Sequence, residues 1–415
     1  GPSPLRNTLT FVMKKVVKTS ESFKSLNEAF EEFNKKFKEE ASKDGISLEN
    51  FRKEINENLK EWEVEFNIAI NPVRPEDIIK NLVSHSFIDK ILDKKMDIGL
   101  YGQGLQRHLI YVLIRLSSKY KEEKIYEKKE FSPELTLILF EEPEAFLHPT
   151  QQEYLDFSLR SLASEEGLQV IVSTHSPIFV SRNIEDISFL IKLKRENGVT
   201  RCFQVSEEIR EDILKENNEF TQLLKEKLDD LSVDERTKKR IRNILGDTDD
   251  DKRMDEEGIR YSLWLDSERS SSFFADIVLI CEGATEKTFI DYLLKNEWDD
   301  FREKKIYVLD AMGKFNIHRY MNLFKALGIY HSVLADRDEN NNVHEIINEF
   351  IESNQNEYKK KIYFFNKNIE DFLGIPIPTI ERKDKKPLNV MWHYKNNKIE
   401  KTKINQLKDI IEGLV

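Results

Sequence analysis

Short runs of apolar residues alternate with amphipathic stretches through most of this chain, and this alternation limits the folds that it can adopt. The clearest runs are 135–141, 168–173 and 277–281. Helical patterns at 103–119 and 150–164 precede the first and second of them, and another follows the third. Buried strands that alternate with helices are typical of a mostly parallel sheet covered on both faces. The sequence therefore predicts an α/β fold, in which ligand sites gather at the carboxyl ends of the strands.

The first 63 residues show a different pattern. Apolar residues recur there at helical spacings of three and four, in the order Phe23, Leu26, Phe30, Phe33 and Phe37. A second helical pattern follows Gly45, which predicts a helical hairpin over residues 1–63. This hairpin either packs within the chain or serves as a dimerisation element. From Val64 to Ile70 the apolar residues alternate, and this period of two predicts a strand that opens the next domain.

Composition excludes several classes of protein. The chain has 415 residues and two cysteines, Cys202 and Cys281, without a Cys-x-x-Cys motif. This excludes a disulfide framework and a structural zinc site. No apolar run approaches the roughly 18–20 residues that span a bilayer, so we expect no membrane contact and a location in the cytoplasm.

The charge is unevenly distributed along the chain. The 76 acidic and 65 basic residues give a net charge of −11, which argues against a simple nucleic-acid binder. Residues 359–408, however, carry 13 Lys and Arg against 5 Asp and Glu. Such a segment is either a solvated surface or a face for polyanions, and charge alone does not decide between them.

Two consecutive carboxylates follow one of the predicted buried strands. In the sequence Leu-Ile-Leu-Phe-Glu-Glu-Pro-Glu, Glu141 and Glu142 stand at the carboxyl end of the strand. One acid at such a position can hold Mg²⁺, and the other can polarise a water for attack on a phosphate. His175 follows the next strand in Ser-Thr-His-Ser-Pro. Upstream, Gly102 and Gly104 open a helix, whose N–H groups favour a phosphate.

These three elements, in this order, resemble the C-terminal half of an ABC-type ATPase head. The resemblance implies that Glu141 and Glu142 form the Walker B pair and that His175 is a switch histidine near the γ-phosphate. Tyr101 or Gly102 stands where the signature motif usually has a serine. No Gly-x-x-x-x-Gly-Lys-Ser/Thr sequence occurs in the chain. We therefore expect that the chain lacks the N-terminal Walker A lobe, and that ATP binding and hydrolysis need that lobe.

A second set of carboxylates follows two other predicted strands. Glu282 follows the apolar run 277–281, and after a glycine turn Glu286 lies in the first turn of a helix. Asp336 and Asp338 follow a later apolar run. Acids at i and i+2 beyond a buried strand project from the same edge, and their repulsion favours a bound cation. An acid in the first turn of a helix is also what the helix dipole favours, so Glu286 alone fits a helix cap equally well.

This arrangement of strand, Glu-Gly-x-x-Glu, helix, strand, helix, strand and Asp-x-Asp resembles a Toprim domain. An ABC-type head followed by a Toprim domain resembles the OLD family of ATP-dependent endonucleases, which includes nuclease subunits of bacterial anti-phage systems. The resemblance covers residues 60–415. It implies a hydrolase that nicks or cleaves DNA through two metal ions, Mg²⁺ or alternatively Mn²⁺ or Ca²⁺, with Glu282 as general acid or base.

The resemblance also assigns residues to the site. The carboxylates of the first metal are expected to be Glu282, Glu286, Asp336 and Asp338. Those of the second are expected to be Glu282 and one of Glu370 and Asp371. The lysine that stabilises charge on the phosphate is expected to be Lys403 or Lys401. The further lining residues are Asp310, Gly313 and Lys314. The catalytic residues are therefore Glu282, Asp336, Asp338 and Lys403.

Four segments follow from these patterns. They are a helical hairpin at 1–63, the C-terminal half of an ABC-type ATPase domain at 64–206, a charged helical linker at 207–272 and a Toprim nuclease domain at 273–415. The implied partners are DNA, further copies of the chain in a homodimer or larger oligomer, and a defence-system protein or nucleic acid.

Two other functions compete with the endonuclease. The first is an ATPase-driven structural or DNA-binding protein whose Toprim domain does not cut, although this leaves the acids at the strand ends unexplained. The second is a topoisomerase or primase, which would share those acids. The ABC-type motifs fit neither of these two enzymes.

Overall fold

The chain has the predicted α/β fold. The computed structural model describes residues 12–13, 16–17, 20–41, 48–59, 64–68, 86–119, 135–180, 186–246, 250–338, 342–379 and 385–415. These residues form two compact units, Gly1–Thr174 and His175–Val415. Among the described helices, none combines the length and the apolar character that a membrane span requires.

The first unit contains a helical pair, a short hairpin and a parallel strand pair. Its described elements are α1 (Glu21–Ala41), α2 (Leu48–Leu59), β1 (Phe87–Asp89), β2 (Lys94–Met96), α3 (Gln103–Lys119), β3 (Thr136–Glu141), α4 (Pro149–Ala163) and β4 (Leu168–Ser173). Strands β1 and β2 pair antiparallel, whereas β3 and β4 pair in parallel. The parallel register joins Thr136 with Leu168 and Glu141 with Ser173, so both strands end at the same edge.

The helices α1 and α2 lie where the apolar spacing predicts them. The strand expected from Val64 to Ile70 is wrong for its described part, 64–68, which forms no strand. The reason is a competing partner. The side-chain amide of Asn56 donates to the carbonyl of Phe66 (3.0 Å), and the N–H of Phe66 donates to Asn56 Oδ1 (2.6 Å). A helix side chain, instead of a neighbouring strand, thus satisfies the backbone of Phe66.

The second unit is larger. Its described elements are β5 (Ile191–Glu196), β6 (Val199–Gln204), α5 (Glu207–Asp229), α6 (Glu235–Leu245), α7 (Asp250–Trp264), α8 (Ser267–Ser270), β7 (Ile277–Cys281), α9 (Ala284–Asn296), β8 (Ile306–Asp310), α10 (Ile317–Ala326), β9 (Tyr330–Asp336), α11 (Asn342–Ser353), β10 (Lys359–Phe365), α12 (Ile369–Leu373), α13 (Lys386–Lys395) and α14 (Lys401–Leu414). Strands β5 and β6 form an antiparallel hairpin.

Strands β7 to β10 form a parallel sheet in the order β10-β9-β7-β8. Alternate residues of each strand face opposite sides of the sheet. Val278 and Ile280 pack in one core with residues of α5, α7, α10 and α11. Leu279 and Cys281 pack in another core with residues of α9, α13 and α14. All residues of β7 are buried, which explains why its sequence is a continuous apolar run.

The segment expected to be a charged helical linker is helical, and it belongs to the second unit. Phe220 of α5 and Tyr261 of α7 are buried in the same core as α10. The side-chain amide of Asn217 donates to the Tyr261 hydroxyl (2.8 Å), which donates to the carbonyl of Arg319 (3.0 Å). These helices therefore pack against the layer that covers one face of the sheet.

A buried ion pair joins α7 to α10. Arg319 is 7% and Glu257 6% exposed, and Arg319 Nε donates to Glu257 Oε2 at 2.6 Å. We expect Arg319→Ala to lower the free energy of unfolding by about 3 kcal/mol, because the buried Glu257 carboxylate would keep only its longer contact with Arg260 (3.4 Å). Urea unfolding measures this loss. As a control, Arg302→Ala removes an exposed pair with Asp299 and should leave the midpoint unchanged. Equal effects of the two variants would contradict the role of the buried pair.

Candidate functional site

In the first unit, the paired acids of the ATPase motif lie at the end of β3. Glu141 is the last residue of the strand, and Glu142 turns away from it with a φ of 42°. The N–H of Glu142 donates to the carbonyl of Ser173 at the end of β4 (2.8 Å). Both acidic side chains are exposed at this edge of the strand pair.

The buried acid of this motif is Glu144, which was not among the expected site residues. Glu144 is 8% exposed, and its Oε1 accepts a hydrogen bond from Thr174 Oγ1 at 2.6 Å. This bond ties the Glu-Glu-Pro-Glu loop to the start of the Ser-Thr-His-Ser-Pro segment. The two motifs, which lie far apart in sequence, therefore meet through their side chains.

The two glycines at the start of α3 differ in their surroundings. A Cβ atom at Gly104 would stand 3.3 Å from Leu147 Cδ2 and 3.4 Å from the carbonyl oxygen of Phe146. Gly104 therefore packs against the loop that follows β3. Gly102 is exposed, and among the described residues nothing lies within 4 Å of the corresponding Cβ position. His175 is exposed at the start of the second unit.

In the second unit, the strand order defines a crevice. From β7 the chain passes through α9 to β8 on one side, and from β9 it passes through α11 to β10 on the other side. Ligands of open parallel sheets bind beyond the carboxyl ends of two neighbouring strands whose connections lead in opposite directions. Glu282 directly follows β7, and Asp336 is the last residue of β9. The fold thus places both acids at this crevice.

Glu282 and Asp336 contact each other there. The N–H of Glu282 donates to the carbonyl of Leu334 (3.2 Å), and Glu282 Oε2 accepts from the N–H of Asp336 (3.2 Å). Glu286, in the first turn of α9, is 5% exposed. Asp336 Oδ1 is buried and has no hydrogen-bond partner among the described residues. The crevice therefore contains a carboxylate oxygen that no described group of the chain satisfies.

A buried lysine neutralises part of the acidic charge. Lys314 lies in the connection between β8 and α10 and is 2% exposed. Its Nζ donates to the Asp336 carbonyl and to Asp338 Oδ2 (2.7 Å), and stands 3.7 Å from Glu282 Oε2. Because burying an ammonium group is costly unless it is paired, these contacts fix the lysine among the acids.

Gly313 and Asp310 shape the loop that carries Lys314. Gly313 adopts a φ of 114° and donates its N–H to the carbonyl of Glu282 (2.8 Å), which holds the loop against the end of β7. Asp310 Oδ1 accepts from the N–H of Met312 in the same loop (2.7 Å). Both residues therefore fix the conformation of the loop that carries Lys314.

Burial and mutual repulsion raise the pKa values of the acids in the crevice. Burial, together with the charges of Glu286 and Glu282, raises the pKa of Asp336 to about 9. Burial also raises the pKa of Glu286 to about 7. It raises the pKa of Glu282 as well, against the attraction of Lys314. A cation that replaces the protons would relieve the repulsion, which is the electrostatic condition for a metal site.

The pKa of Asp338, in contrast, is lowered. Although partial burial acts against it, hydrogen bonds from His344 and Lys314 lower the pKa of Asp338 to about 2. Asp338 Oδ2 lies 2.7 Å from both His344 Nδ1 and Lys314 Nζ. Sequence reasoning missed His344. The available signal was a histidine in the first turn of the helix that follows the Asp-x-Asp motif.

The two neighbouring acids Glu370 and Asp371 lie in different environments. Glu370 is 1% exposed, and its Oε1 stands 3.7 Å from Nζ of Lys386, which the sequence did not suggest as a site residue. Its charge helps to raise the pKa of Glu286, so it lies near the crevice. Asp371 is exposed and stands 3.7 Å from Lys367 Nζ. Of the two acids, the structure brings Glu370 toward the crevice.

The two candidate lysines lie on α14. Lys403 Nζ is 5.2 Å from the centre of the Phe372 ring, and Lys401 is exposed at the start of the helix. Neither lysine has a hydrogen bond or an ion pair with an acid of the crevice among the described residues. The structure therefore does not bring them into contact with the acids.

The donor set of the crevice fits a hard divalent cation. Such ions prefer carboxylate oxygens, and Asp336 Oδ1 offers one that is buried and unsatisfied. Within the described ranges, however, no three His, Cys, Asp or Glu side chains already stand in metal-binding geometry. One reason is that Lys314 and His344 hold Asp338. The chain itself thus supplies part of the positive charge that an ion would bring.

Comparisons with known proteins agree with this geometry. Residues 7–180 match a family model described as an AAA ATPase domain. Residues 273–338 match the TOPRIM domain of Overcoming lysogenization defect protein-like proteins. The chain thus combines an AAA ATPase domain with a TOPRIM domain of the OLD-like type. The matched TOPRIM segment includes Glu282 and Asp336, which meet at the crevice.

Curated relatives that the chain matches carry nuclease names. They include Old nuclease of Escherichia phage P2 (25% identical over 333 residues), Endonuclease GajA of Bacillus cereus strain HuB5-5 (23% over 297 residues) and OLD nuclease of Thermus scotoductus (26% over 210 residues). The alignments cover 77%, 68% and 51% of this chain, and 49%, 38% and 32% of the respective relatives. The chain thus spans half or less of the length of these curated relatives.

The folded chain and its metal complex should respond to pH in opposite ways. Asp336 and Glu286 bind protons more tightly when folded than ordinary carboxyls do, so metal-free stability falls as the pH rises from about 4 to about 9. Divalent ions bind ionised carboxylates, so the rise in melting temperature caused by Mn²⁺ should grow between about pH 6 and about pH 8.5. Thermal unfolding with Mn²⁺ and with EDTA measures both effects. A Mn²⁺ effect that is unchanged in Asp336→Asn would contradict the site.

Glu370 and Asp371 offer a matched pair of variants. Glu370→Gln should weaken Mn²⁺ binding roughly 10-fold or more, because it removes a buried carboxylate that lies near Glu286. Asp371→Asn should leave binding within about twofold, because it removes an exposed carboxylate beside Lys367. Isothermal titration calorimetry distinguishes the two. Equal losses, or a loss in Asp371→Asn alone, would exclude the assignment to Glu370.

Proposed function

We propose that this chain is the catalytic part of a metal-dependent DNA endonuclease. The observation that carries the proposal is the meeting of Glu282 and Asp336 at the carboxyl ends of β7 and β9, within a TOPRIM domain of the OLD-like type. The nuclease names of the relatives support the same reaction class. The substrate is the DNA phosphodiester bond.

The side chains of the crevice have distinct roles in this proposal. Glu282, Glu286 and Asp336 hold divalent ions, which neutralise the scissile phosphate and activate a water when they are bound. Glu282 is half-buried and its pKa is raised by burial, so it can carry the proton that passes to or from the reacting oxygen. Lys314 holds the backbone after β9 in place through Asp338 and the Asp336 carbonyl.

A second ion is assigned to Glu282 and Glu370. Glu370 Oε1 is buried without a hydrogen-bond partner among the described residues, and Lys386 Nζ is its cationic neighbour at 3.7 Å. Mg²⁺, with Mn²⁺ as an alternative, suits such an all-carboxylate set. Lys403 stands over Phe372, two residues from Glu370, and its long side chain can turn from that ring toward a phosphate.

In this proposal, the ATPase region controls cleavage. Glu141 and Glu142 are exposed at the edge of β3 and β4, where a nucleotide can approach them. ATP-dependent association of two copies of this region would set the geometry of the nuclease domains, with a defence-system protein or nucleic acid as a further partner. Defence against phage is the biological role that this architecture favours.

Cleavage of supercoiled plasmid with Mg²⁺ or Mn²⁺ tests the proposed activity. The chain should give nicked and linear products. Glu282→Gln and Asp336→Asn should lower the rate roughly 100-fold or more, because they remove an acid–base group and a metal-binding carboxylate. The matched control is Asp276→Asn, which changes an exposed acid at the opposite end of β7 and should leave the rate unchanged.

Other outcomes of this assay have definite meanings. Equal cutting by the chain and both site variants would refute the assignment of the crevice. Plasmid that stays intact although the chain binds it would favour an ATPase-driven DNA-binding protein with a non-cutting Toprim domain. Relaxed circles that stay covalently closed would favour a topoisomerase.

A further inference from the structure

A basic and aromatic stripe lies on α13, outside the acidic crevice. Its members recur at spacings of three, four and three residues and so share one side of the helix: Lys385, Leu388, Trp392 and Lys395. Leu388 is 65% and Trp392 48% exposed, whereas Val390 of the same helix is fully buried. The helix therefore packs on the domain through one face and presents large apolar side chains on another.

A lysine covers the exposed indole ring, and further lysines lie nearby in the sequence. Lys398 Nζ lies 4.0 Å from the centre of the Trp392 ring. Residues 385–403 contain six lysines and one acidic residue, in a chain whose net charge is −11. Grooves that bind single-stranded nucleic acid combine two features. Positively charged side chains line the path of the phosphates, and a base stacks on an aromatic ring.

Helix α13 begins beside the crevice. Lys386, the first residue of α13, stands 3.7 Å from Glu370. Trp392 follows six residues later, about 9 Å along the helix at roughly 1.5 Å per residue and on a different side of it. This rise corresponds to roughly two or three nucleotides of a stacked strand. A strand with one phosphate at the crevice therefore needs only a few more nucleotides to pass around the start of α13 to the Trp392 ring.

We propose that the stripe on α13 binds the substrate strand as unpaired DNA, with a base stacked on Trp392 and phosphates beside Lys395 and Lys398. This inference rests on the proposed function, because it follows the strand away from the crevice that cuts it. A second copy of the chain fits less well, since a symmetric contact would bring the two lysine-rich faces together. The stacked base displaces Lys398 from the face of the Trp392 ring. The ammonium group of Lys398 then neutralises the next phosphate.

Binding is measured in EDTA, so that no strand is cut. The probe is a fluorescein-labelled oligothymidine of about 20 nucleotides, and a blunt duplex of equal length is the comparison. Trp392→Ala should weaken oligothymidine binding about 10-fold or more and duplex binding less, because the stacking partner of an unpaired base is lost. Trp392→Phe should keep most of the affinity, but it should abolish the quenching of tryptophan fluorescence on binding.

The salt dependence of binding tests the roles of Lys395 and Lys398. Lys395→Gln and Lys398→Gln should each reduce the slope of log K against log salt concentration by about 1, because each removes one phosphate contact. The matched control is Lys304→Gln, since Lys304 is exposed and, like Lys398, stands near an aromatic ring, that of Phe301 (5.2 Å), but is not part of α13 or its basic segment. This control should change neither the affinity nor the salt slope.

Two results would overturn the inference. The first is unchanged oligothymidine affinity in Trp392→Ala. The second is a loss of self-association in that variant with unchanged DNA binding, which would assign the stripe to a second copy of the chain. If Trp392-dependent binding is found but plasmid is never cut, the nuclease proposal fails and the binding surface stands, so the two proposals fail separately.

Discussion

The second unit depends on the buried ammonium group of Lys314. Carboxylates that follow β7 and β9 converge at a crevice from which water is largely excluded, and without a positive charge their repulsion would oppose folding. Lys314 contacts Glu282, Asp338 and the Asp336 carbonyl, so the crevice can form before any ion arrives. One lysine does not pair with all the acids, and the carboxyls that it leaves are the groups proposed to hold a divalent cation.

The sequence was sufficient to locate the acids of the crevice. Parallel strands are buried on both faces, so β7 is a continuous apolar run and β9 ends with the apolar residues Val-Leu-Ala before Asp336. A polar residue directly after such a run marks the carboxyl end of the strand. Glu282 and Asp336 could therefore be placed at one edge from spacing alone. Choosing between Glu370 and Asp371 needed the structure, because adjacent helical residues point in different directions and the burial of each depends on tertiary packing.

The partners of the acids could not be predicted. His344 and Lys386 reach the crevice from α11 and α13, and single polar residues in the first turn of a helix have no periodic signal. The strand expected from Val64 failed for a related reason, since alternation predicts a strand only where a neighbouring strand offers hydrogen bonds. Asn56 supplied them instead. In each case a side-chain contact between two different elements decided the outcome, and no periodic pattern in the sequence encodes such a contact.

The groups that form the crevice come from many separate elements. Glu282 follows β7, Lys314 lies in the loop after β8, Asp336 ends β9, His344 is in α11 and Glu370 is in α12. Strands β7 and β9 are neighbours in the sheet, yet β8 and two helices separate them in the sequence. The proposed metal site therefore does not exist in a ribosome-bound or partly folded chain, because its groups meet only when the whole domain has folded.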